Sequence, residues 1–425
     1  FVATMERLDD SLVLQLLVDL PAATISHFAG TCKSNRQLAD DDTLWVNKCR
    51  KECGLNPLPG EGKGTYQKLG PVYTQAKATW DLLESWVSQH FPPCHASLGP
   101  GVTNQVFEAA ERELGFALPE GYKALWSFHD GQNLEFDQEL FAYFTAHGTF
   151  PSMAPSDPSM FHGLLGGYSF YEHSVNVRLV PLANSLLWSK VFAKALPRTH
   201  KQSILLATSY NLNKYFWLHC PSGMVFANTR KAQVLLPCFP ESAHGAPGGG
   251  LIAWLRSYAE RLARNEFSCR LETTNPMLNP GIWRFNDTAP QVSEEITQGV
   301  RVRASAVFVP EFSDVSEFCH TYSLRLSSMP DNPMESCQLT HRHWIITDAD
   351  GHTEQVQGEA VIGQYPILAP GEPEFVYQSC TSMATRTGNM RGYFRMVVGT
   401  MQNQTGDAFR AVCASFPVDV PEYII

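Results

Sequence analysis

No run of 18 consecutive apolar residues occurs anywhere in the 425, so nothing in the sequence asks for a membrane-spanning helix, and the residues given hold no secretory signal pattern. Charge is scarce, at 17% of residues, and of the wrong sign for a polyanion: 32 lysines and arginines against 42 aspartates and glutamates leave −10, with no basic run standing apart from that average. Counterion-driven binding needs a dense basic surface, so nucleic acid is excluded as a partner. The 11 cysteines are scattered, odd in number and without a CxxC pair. Such usage suits reduced thiols in the cytoplasm or nucleus, not a secreted disulfide framework. What is present is core-forming: 44% hydrophobic and 11% aromatic residues describe a folded chain, and this length calls for roughly two to four domains.

The first 53 residues hold more apolar side chains than so small a unit can bury. Leu12, Leu16 and Leu20 recur at helical spacing after Asp9-Asp10-Ser11, and Pro21 ends that pattern. A second pattern carries Ile25, Phe28 and Cys32. A break follows around Lys33 to Arg36, and Asp40-Asp41-Asp42 can cap a third helix bearing Leu44, Trp45 and Cys49. Three helices of this size are short of the roughly 40 to 60 residues that sustain a core alone, so Leu8, Leu12, Leu16 and their neighbours want a partner. Residues 54–70, rich in glycine and proline, read as a loop, and Trp80, Leu83, Trp86 and Val87 mark a linker helix that Pro92-Pro93 stops.

From Leu98 onward two helical patterns (Val106 to Leu114, then Leu118 to Phe128) precede strand-like runs over 177–182, 204–207, 214–218 and 224–227; a last amphipathic helix carries Leu251, Trp254, Leu255, Tyr258 and Leu262. Beyond Val300 the period changes to two, with short strands over 300–309, 321–326, 343–348, 354–357, 375–378 and 393–398, and turn signals such as Asp350-Gly351 between them. An antiparallel β-sandwich is predicted there.

Several strings resemble known families. The leucine repeat, Cys32-Lys33, Leu38-Ala39 and Leu44-Trp45 resemble an F-box, with departures at Asp9, where proline is usual, and at Asn35, where tryptophan is common. Glu111, Leu114-Gly115, Leu118-Pro119, Tyr122, Phe128, Asp130-Gly131 and Gly163 to Tyr168 resemble a SUKH (Smi/Knr-type) domain. Residues 358–371, Phe375 to Cys380, and Thr385, Gly388, Met390, Gly392 and Tyr393 resemble the ApaG family, a fibronectin type III-like sandwich. In that order the modules resemble the plant Skp-interacting F-box proteins and their animal relatives, and the ending Val420 to Ile425, without an acidic tail, is similar to the plant group.

The resemblance implies a multidomain α+β chain: a trihelical F-box (1–53), a loop and linker helix (54–97), an α+β SUKH-like domain (98–268), a linker (269–290) and an all-β ApaG sandwich (291–425). It further implies a substrate-recognition subunit of an SCF-type (Skp, cullin, F-box) E3 ubiquitin ligase. Leu8, Leu12, Leu16, Leu20, Ile25, Phe28, Cys32, Leu44 and Trp45 would dock on the Skp adaptor, and through it on the cullin and RING subunit. The SUKH-like and ApaG domains would recruit a target protein. Such a subunit is not an enzyme and needs no cofactor or metal. The alternative is a ligand-binding protein whose loop Gly358, Ala360, Gly363, Tyr365 and Pro366 holds a pyrophosphate or nucleotide, since these positions correspond to a GxGxxG in bacterial ApaG proteins. Ala360 weighs against it by placing a methyl where close backbone approach is needed. His129, His162, His173, His200 and His219, with Asp130 and Cys220, are acid, base and nucleophile types without a spacing that joins them, and read as turn, core or surface residues. The alternation of His341 and His343, the helical spacing of Cys49 and Cys53, and Gly166-Gly167 likewise read as structural.

Overall fold

Four helices, not three, form the first unit of the computed structural model: α1 (Asp10–Val18), α2 (Ala22–Ala29), α3 (Lys33–Asp40) and α4 (Asp42–Cys53). The expected break at Lys33 to Arg36 is itself helical, because the Cys32 sulfur accepts the Asn35 N–H at 3.4 Å and starts a new turn there. The structure describes residues 9–133, 142, 143, 146, 158–192, 194, 196–231, 234–240, 249–271 and 279–425; Leu8 lies outside these.

A single helix of 29 residues, α5 (Gly62–His90), follows, and it starts well before the linker helix that the tryptophans suggested. Glycines 62, 64 and 70, read as loop residues, lie within it because two of them are contact points. A Cβ at Gly62 would sit 2.7 Å from the Val46 amide nitrogen, so only glycine lets α5 begin flush against α4. The Asp42 carboxylate accepts the N–H groups of Gly60 and Gly62 at 2.6 and 2.7 Å, which satisfies first-turn donors. Tyr66, Tyr73, Ala76, Trp80, Leu83 and Val87 then form one buried stripe that packs on α4 and on the next unit.

That unit opens with α6 (Pro92–Ala96), α7 (Asn104–Leu114) and α8 (Glu120–Trp126). A six-stranded antiparallel meander follows in simple order: β1 (Gly166–Phe170), β2 (His173–Leu179), β3 (Ser203–Ser209), β4 (Tyr215–His219), β5 (Met224–Asn228) and β6 (Leu235–Pro237). A helix that the sequence did not suggest, α9 (Leu182–Phe192), lies between β2 and β3, and α10 (Gly249–Ala263) closes the unit. The apolar periodicity of α9 is broken because two of its buried positions are serines. Ser185 Oγ donates to the Leu205 carbonyl at 2.6 Å, and Ser189 Oγ accepts the Leu205 N–H at 2.9 Å. Both α8 and α10 pack on α5, so one hydrophobic core runs from Val13 to Leu262 without a break between the two units.

The expected linker over 269–290 is not an open connection in its described part. β7 (Cys269–Arg270) pairs with β8 (Gly281–Ile282), and Ile282, Trp283, Arg284, Phe285 and Asn286 are buried. The sandwich then has one sheet of β15 (Phe375–Met383), β11 (Phe318–Ser328), β10 (Val300–Phe308) and β9 (Ser293–Thr297). The other is β13 (Thr353–Glu359), β12 (Cys337–Asp348), β16 (Gly388–Val398) and β17 (Phe409–Pro417), with β14 (Ile367–Leu368) on β12. Its alternating inward residues, among them Leu324, Leu339, Trp344, Phe394 and Met396, make a separate core. Among the described residues no helix is long and apolar enough to cross a membrane.

The sandwich is fastened to the meander by buried polar bonds. Glu311 accepts the Tyr168 hydroxyl at 2.7 Å and bonds His173 Nε2 at 2.9 Å; Ser169 Oγ donates to Gln378 Oε1 at 2.9 Å. The segment after β17 returns to the meander, where Trp254 Nε1 donates to the Ile424 carbonyl at 2.7 Å and Lys214 Nζ to that of Ile425 at 3.0 Å.

His320 on β11 makes this junction sensitive to acid. Its Nδ1 lies 3.2 Å from the Phe318 carbonyl, and burial pushes the imidazole down to about 4 against the opposing pull of backbone groups at Asp419 and Phe318. The unfolded chain therefore takes up a proton below the ordinary value of 6.5 while the folded chain stays neutral, and stability falls as pH drops through that window. Denaturant titrations should show the wild type losing about 3 kcal/mol relative to His320→Gln between pH 7 and 4. A constant difference would assign the acid sensitivity to another group.

Candidate functional site

The first helix carries two apolar stripes. Val13 and Leu17, four residues apart, are buried, whereas Leu12 and Leu16, one position behind each, are 48% and 46% exposed. Leu20 is half-buried and Cys32 exposed. The structure thus leaves Leu12, Leu16 and Cys32 of the expected docking residues on the surface. Ile25, Phe28, Leu44 and Trp45 do not join them: all four lie in the core, which corrects their assignment to an exposed face. Their burial has a plain cause. The helix α4 packs on the long helix α5, where Trp45 meets Tyr66 at 5.3 Å between ring centroids and donates through Nε1 to the Ala39 carbonyl at 2.7 Å, while α2, with Ile25 and Phe28, packs on α3.

Lys48, which the sequence reading passed over, holds α1 in place. This fully buried ammonium donates to the carbonyls of Val18 and Leu20 at 3.2 and 2.7 Å, placing a cation on the open end of α1. It also bonds the Glu52 carboxylate one turn along α4, and Glu52 takes the Tyr66 hydroxyl from α5. Three helices therefore meet on one carboxylate–ammonium pair. The only advance signal was the i,i+4 spacing of Lys48 and Glu52, which on most helices marks a solvated pair.

The sandwich loop after β13 has a different character. Ala360, Ile362 and Gly363 all have positive φ, at 59°, 49° and 71°, and Val361 and Gln364 exchange both backbone bonds at 2.9 and 3.0 Å. The Ala360 N–H is taken by the Thr340 carbonyl, and Arg342 donates to the carbonyls of Glu359 and Ala360 at 3.0 and 2.7 Å. The Ala360, Val361 and Gln364 amides are thus engaged in holding the turn. The neighbouring hollow of about 430 Å³ is bordered by Tyr365, Pro366, Glu372 and Glu374, the last paired with Arg303.

The remaining chemical residues are committed to structure. His129 bonds Glu84 at 2.9 Å and the Gly99 carbonyl at 3.0 Å, and Asp130 accepts the Leu182 N–H at 2.7 Å. His200 and His219 stack near each other, 5.3 Å between centroids, with burial holding both below the usual imidazole value. Gly167 is a packing point, since a Cβ there would fall 1.7 Å from the Val175 carbonyl oxygen. Burial pushes Cys49 and Cys53 up to about 11 and about 12, as for inert core thiols.

Comparison with known proteins decides the family. F-box protein SKIP16 of Arabidopsis thaliana is 32% identical over 422 residues, covering 91% of this chain and 92% of that protein. The chain belongs to the F-box proteins with a C-terminal ApaG domain. F-box only protein 3 of Bos taurus and of Homo sapiens are each 25% identical over 446 residues, 98% of this chain and 85% of theirs. The ApaG domain model matches residues 311–398, and Protein ApaG of Anaeromyxobacter dehalogenans is 42% identical over 130 residues, 31% of this chain and 97% of that one. The loop after β13 lies within the matched ApaG domain.

Replacing Lys48 with alanine leaves Glu52 and two helix-end carbonyls without their cation, at a cost of roughly 2 kcal/mol after allowing for the part-exposed Glu52. Hydrogen exchange should show α1 amides opening at least tenfold more often in that variant. Lys77→Ala, which removes an exposed pair with Asp81, should leave α1 unchanged.

Proposed function

We propose that this chain is the substrate-recognition subunit of an SCF-type E3 ubiquitin ligase, docking on a Skp-type adaptor through the F-box and presenting the central and ApaG domains to a target protein. The observation that carries this is the exposed Leu12 and Leu16 stripe, on a helix whose opposite stripe and C-terminal end are both anchored. An adaptor covering two such half-exposed leucines removes apolar area from water worth roughly 0.7 to 1.5 kcal/mol each. Leu20 and Cys32 border the same unit, and Ile25, Phe28, Leu44 and Trp45 support it from beneath. Cullin and RING subunit would join through the adaptor, and the chemistry would be theirs. This chain contributes proximity, raising the concentration of target lysines near a charged ubiquitin carrier. A cytoplasmic or nuclear location suits the thiol-rich, disulfide-free composition.

The central unit we read as SUKH-like, supported by its helix pair, antiparallel meander and closing helix in the order the motif implies. The ligand-binding alternative finds no lysine or arginine on the border of the hollow beside the ApaG loop, and three of that loop's amides are engaged in holding its turn. Because Leu12 and Leu16 face solvent, Leu12→Asp/Leu16→Asp should fold as wild type by circular dichroism yet lose Skp-adaptor capture at least a hundredfold in a binding titration. Undiminished capture by the folded double variant overturns the assignment of this face.

A further inference from the structure

Cys319 on β11 and Cys380 on β15 stand on neighbouring antiparallel strands, in a register that pairs Cys319 with Ser382 and Thr321 with Cys380. The two-residue period therefore puts both thiols on one face of the sheet, on a diagonal. That face looks away from the sandwich core and toward the meander, where Cys319 packs with Tyr168, Phe170 and Trp283, and Cys380 lies against the same cluster. Both cysteines border a cavity of about 570 Å³ between the two units, with Tyr171, His173, Arg230 and Phe312 on its other sides. Cys380 is partly exposed, whereas Cys319 is 5% exposed beneath it. The two thiols influence one another's ionisation.

No other described cysteine combines these features. Cys269 on β7 is half-buried, and burial pushes its thiol up to about 12. Cys94, Cys220, Cys238, Cys337 and Cys413 are buried, and burial pushes their thiols up. Cys49 and Cys53 are near one another but sealed in the core. Cys32 is exposed at the start of α3, and its sulfur is engaged by the Asn35 N–H. The Cys319–Cys380 pair has what thiol exchange needs: one sulfur reached from solvent, a second within reach of the first, and a hollow for the incoming group.

We propose that Cys380 and Cys319 form a thiol–disulfide exchange site that takes a small disulfide of the glutathione class at this cavity, Cys380 attacking and Cys319 resolving. The Cys380 thiolate attacks one sulfur of the glutathione disulfide, the S–S bond breaks, and one glutathione thiolate leaves. Cys319 then gives up its proton, and its sulfur attacks Cys380, releasing the second glutathione. Two protein thiols are oxidised to a disulfide, and one glutathione disulfide is reduced to two thiols. The division of labour follows from exposure, Cys380 being reached from solvent and Cys319 covered, and the interaction between them works in the same direction, lowering the thiol of Cys380 and raising that of Cys319. The first sulfur to ionise is therefore the one solvent reaches.

The test uses the full reduced chain, incubated with oxidised glutathione, quenched with acid and digested without reductant for mass mapping. The expected product is a peptide pair joined through Cys319 and Cys380, lighter by two hydrogens and restored by dithiothreitol. Cys319→Ser should instead accumulate glutathione on Cys380, and Cys380→Ser should leave Cys319 free. The proposal is overturned if the wild type keeps both thiols while Cys32 is modified under the same conditions, or if glutathione stays on Cys380 without closure. It also fails if Cys319 takes glutathione in Cys380→Ser. The wild-type map decides the joining step whether or not either variant folds.

Discussion

Everything in the first two units depends on α5 burying one stripe along its whole length. A helix of 29 residues is about 44 Å long. The stripe from Gly62 to Val87 meets α4 at one end and α8 and α10 at the other, so the F-box helices and the meander are roofed by the same element. Trp80 shows how the second contact is fixed: its ring is buried and its Nε1 donates to the Leu125 carbonyl at 2.9 Å. Each fully buried large side chain on this stripe contributes roughly 1.5 to 3 kcal/mol of apolar burial. The first helical unit is thus built into the protein, sharing one core with the meander.

The junction to the sandwich rests on a different balance. Lys214 is fully buried, and burial pushes its ammonium down to about 8, while Glu311 nearby is pushed up by burial but held below its usual value by His173 and Lys214. Arg325 reaches the Ser305 hydroxyl, the Asn286 carbonyl and the Asp287 carboxylate, tying the segment after β8 to β10 and β11. Buried charges of this kind add little net stability over an apolar contact, since desolvation offsets most of the attraction. Misplacing one of them is expensive, so they define a single arrangement of meander and sandwich. Cys319 and Cys380 face this same junction.

The sandwich was the most legible part of the sequence, because a period of two survives wherever one face of a strand is buried and the other wet. The strands over 300–309, 321–326 and 393–398 stand as β10, β11 and β16. The start of α5 was hidden because glycine speaks for a loop when read alone; at Gly62 it serves a helix crossing that needs no side chain. Helix α9 was hidden because Ser185 and Ser189 are buried by hydrogen bonds that hydropathy does not register. The excess of apolar residues in the first unit was real, but sequence could not divide it between faces covered by neighbouring helices and a face left open. That division required knowing where α5 runs.

What fixes the open face is worth following one step further. Leu12 and Leu16 together carry one more methylene than Val13 and Leu17, so apolar transfer alone would favour turning α1 by about 100° and burying the other stripe, by about 0.8 kcal/mol. Lys48 opposes that rotation. Turning α1 would carry the carbonyls of Val18 and Leu20 away from an ammonium that has no water to replace them. Bonds to a buried charge are worth roughly 1.5 to 3 kcal/mol each, which outweighs the methylene. A single lysine on α4 thereby keeps the more apolar stripe of α1 outside, in contact with water.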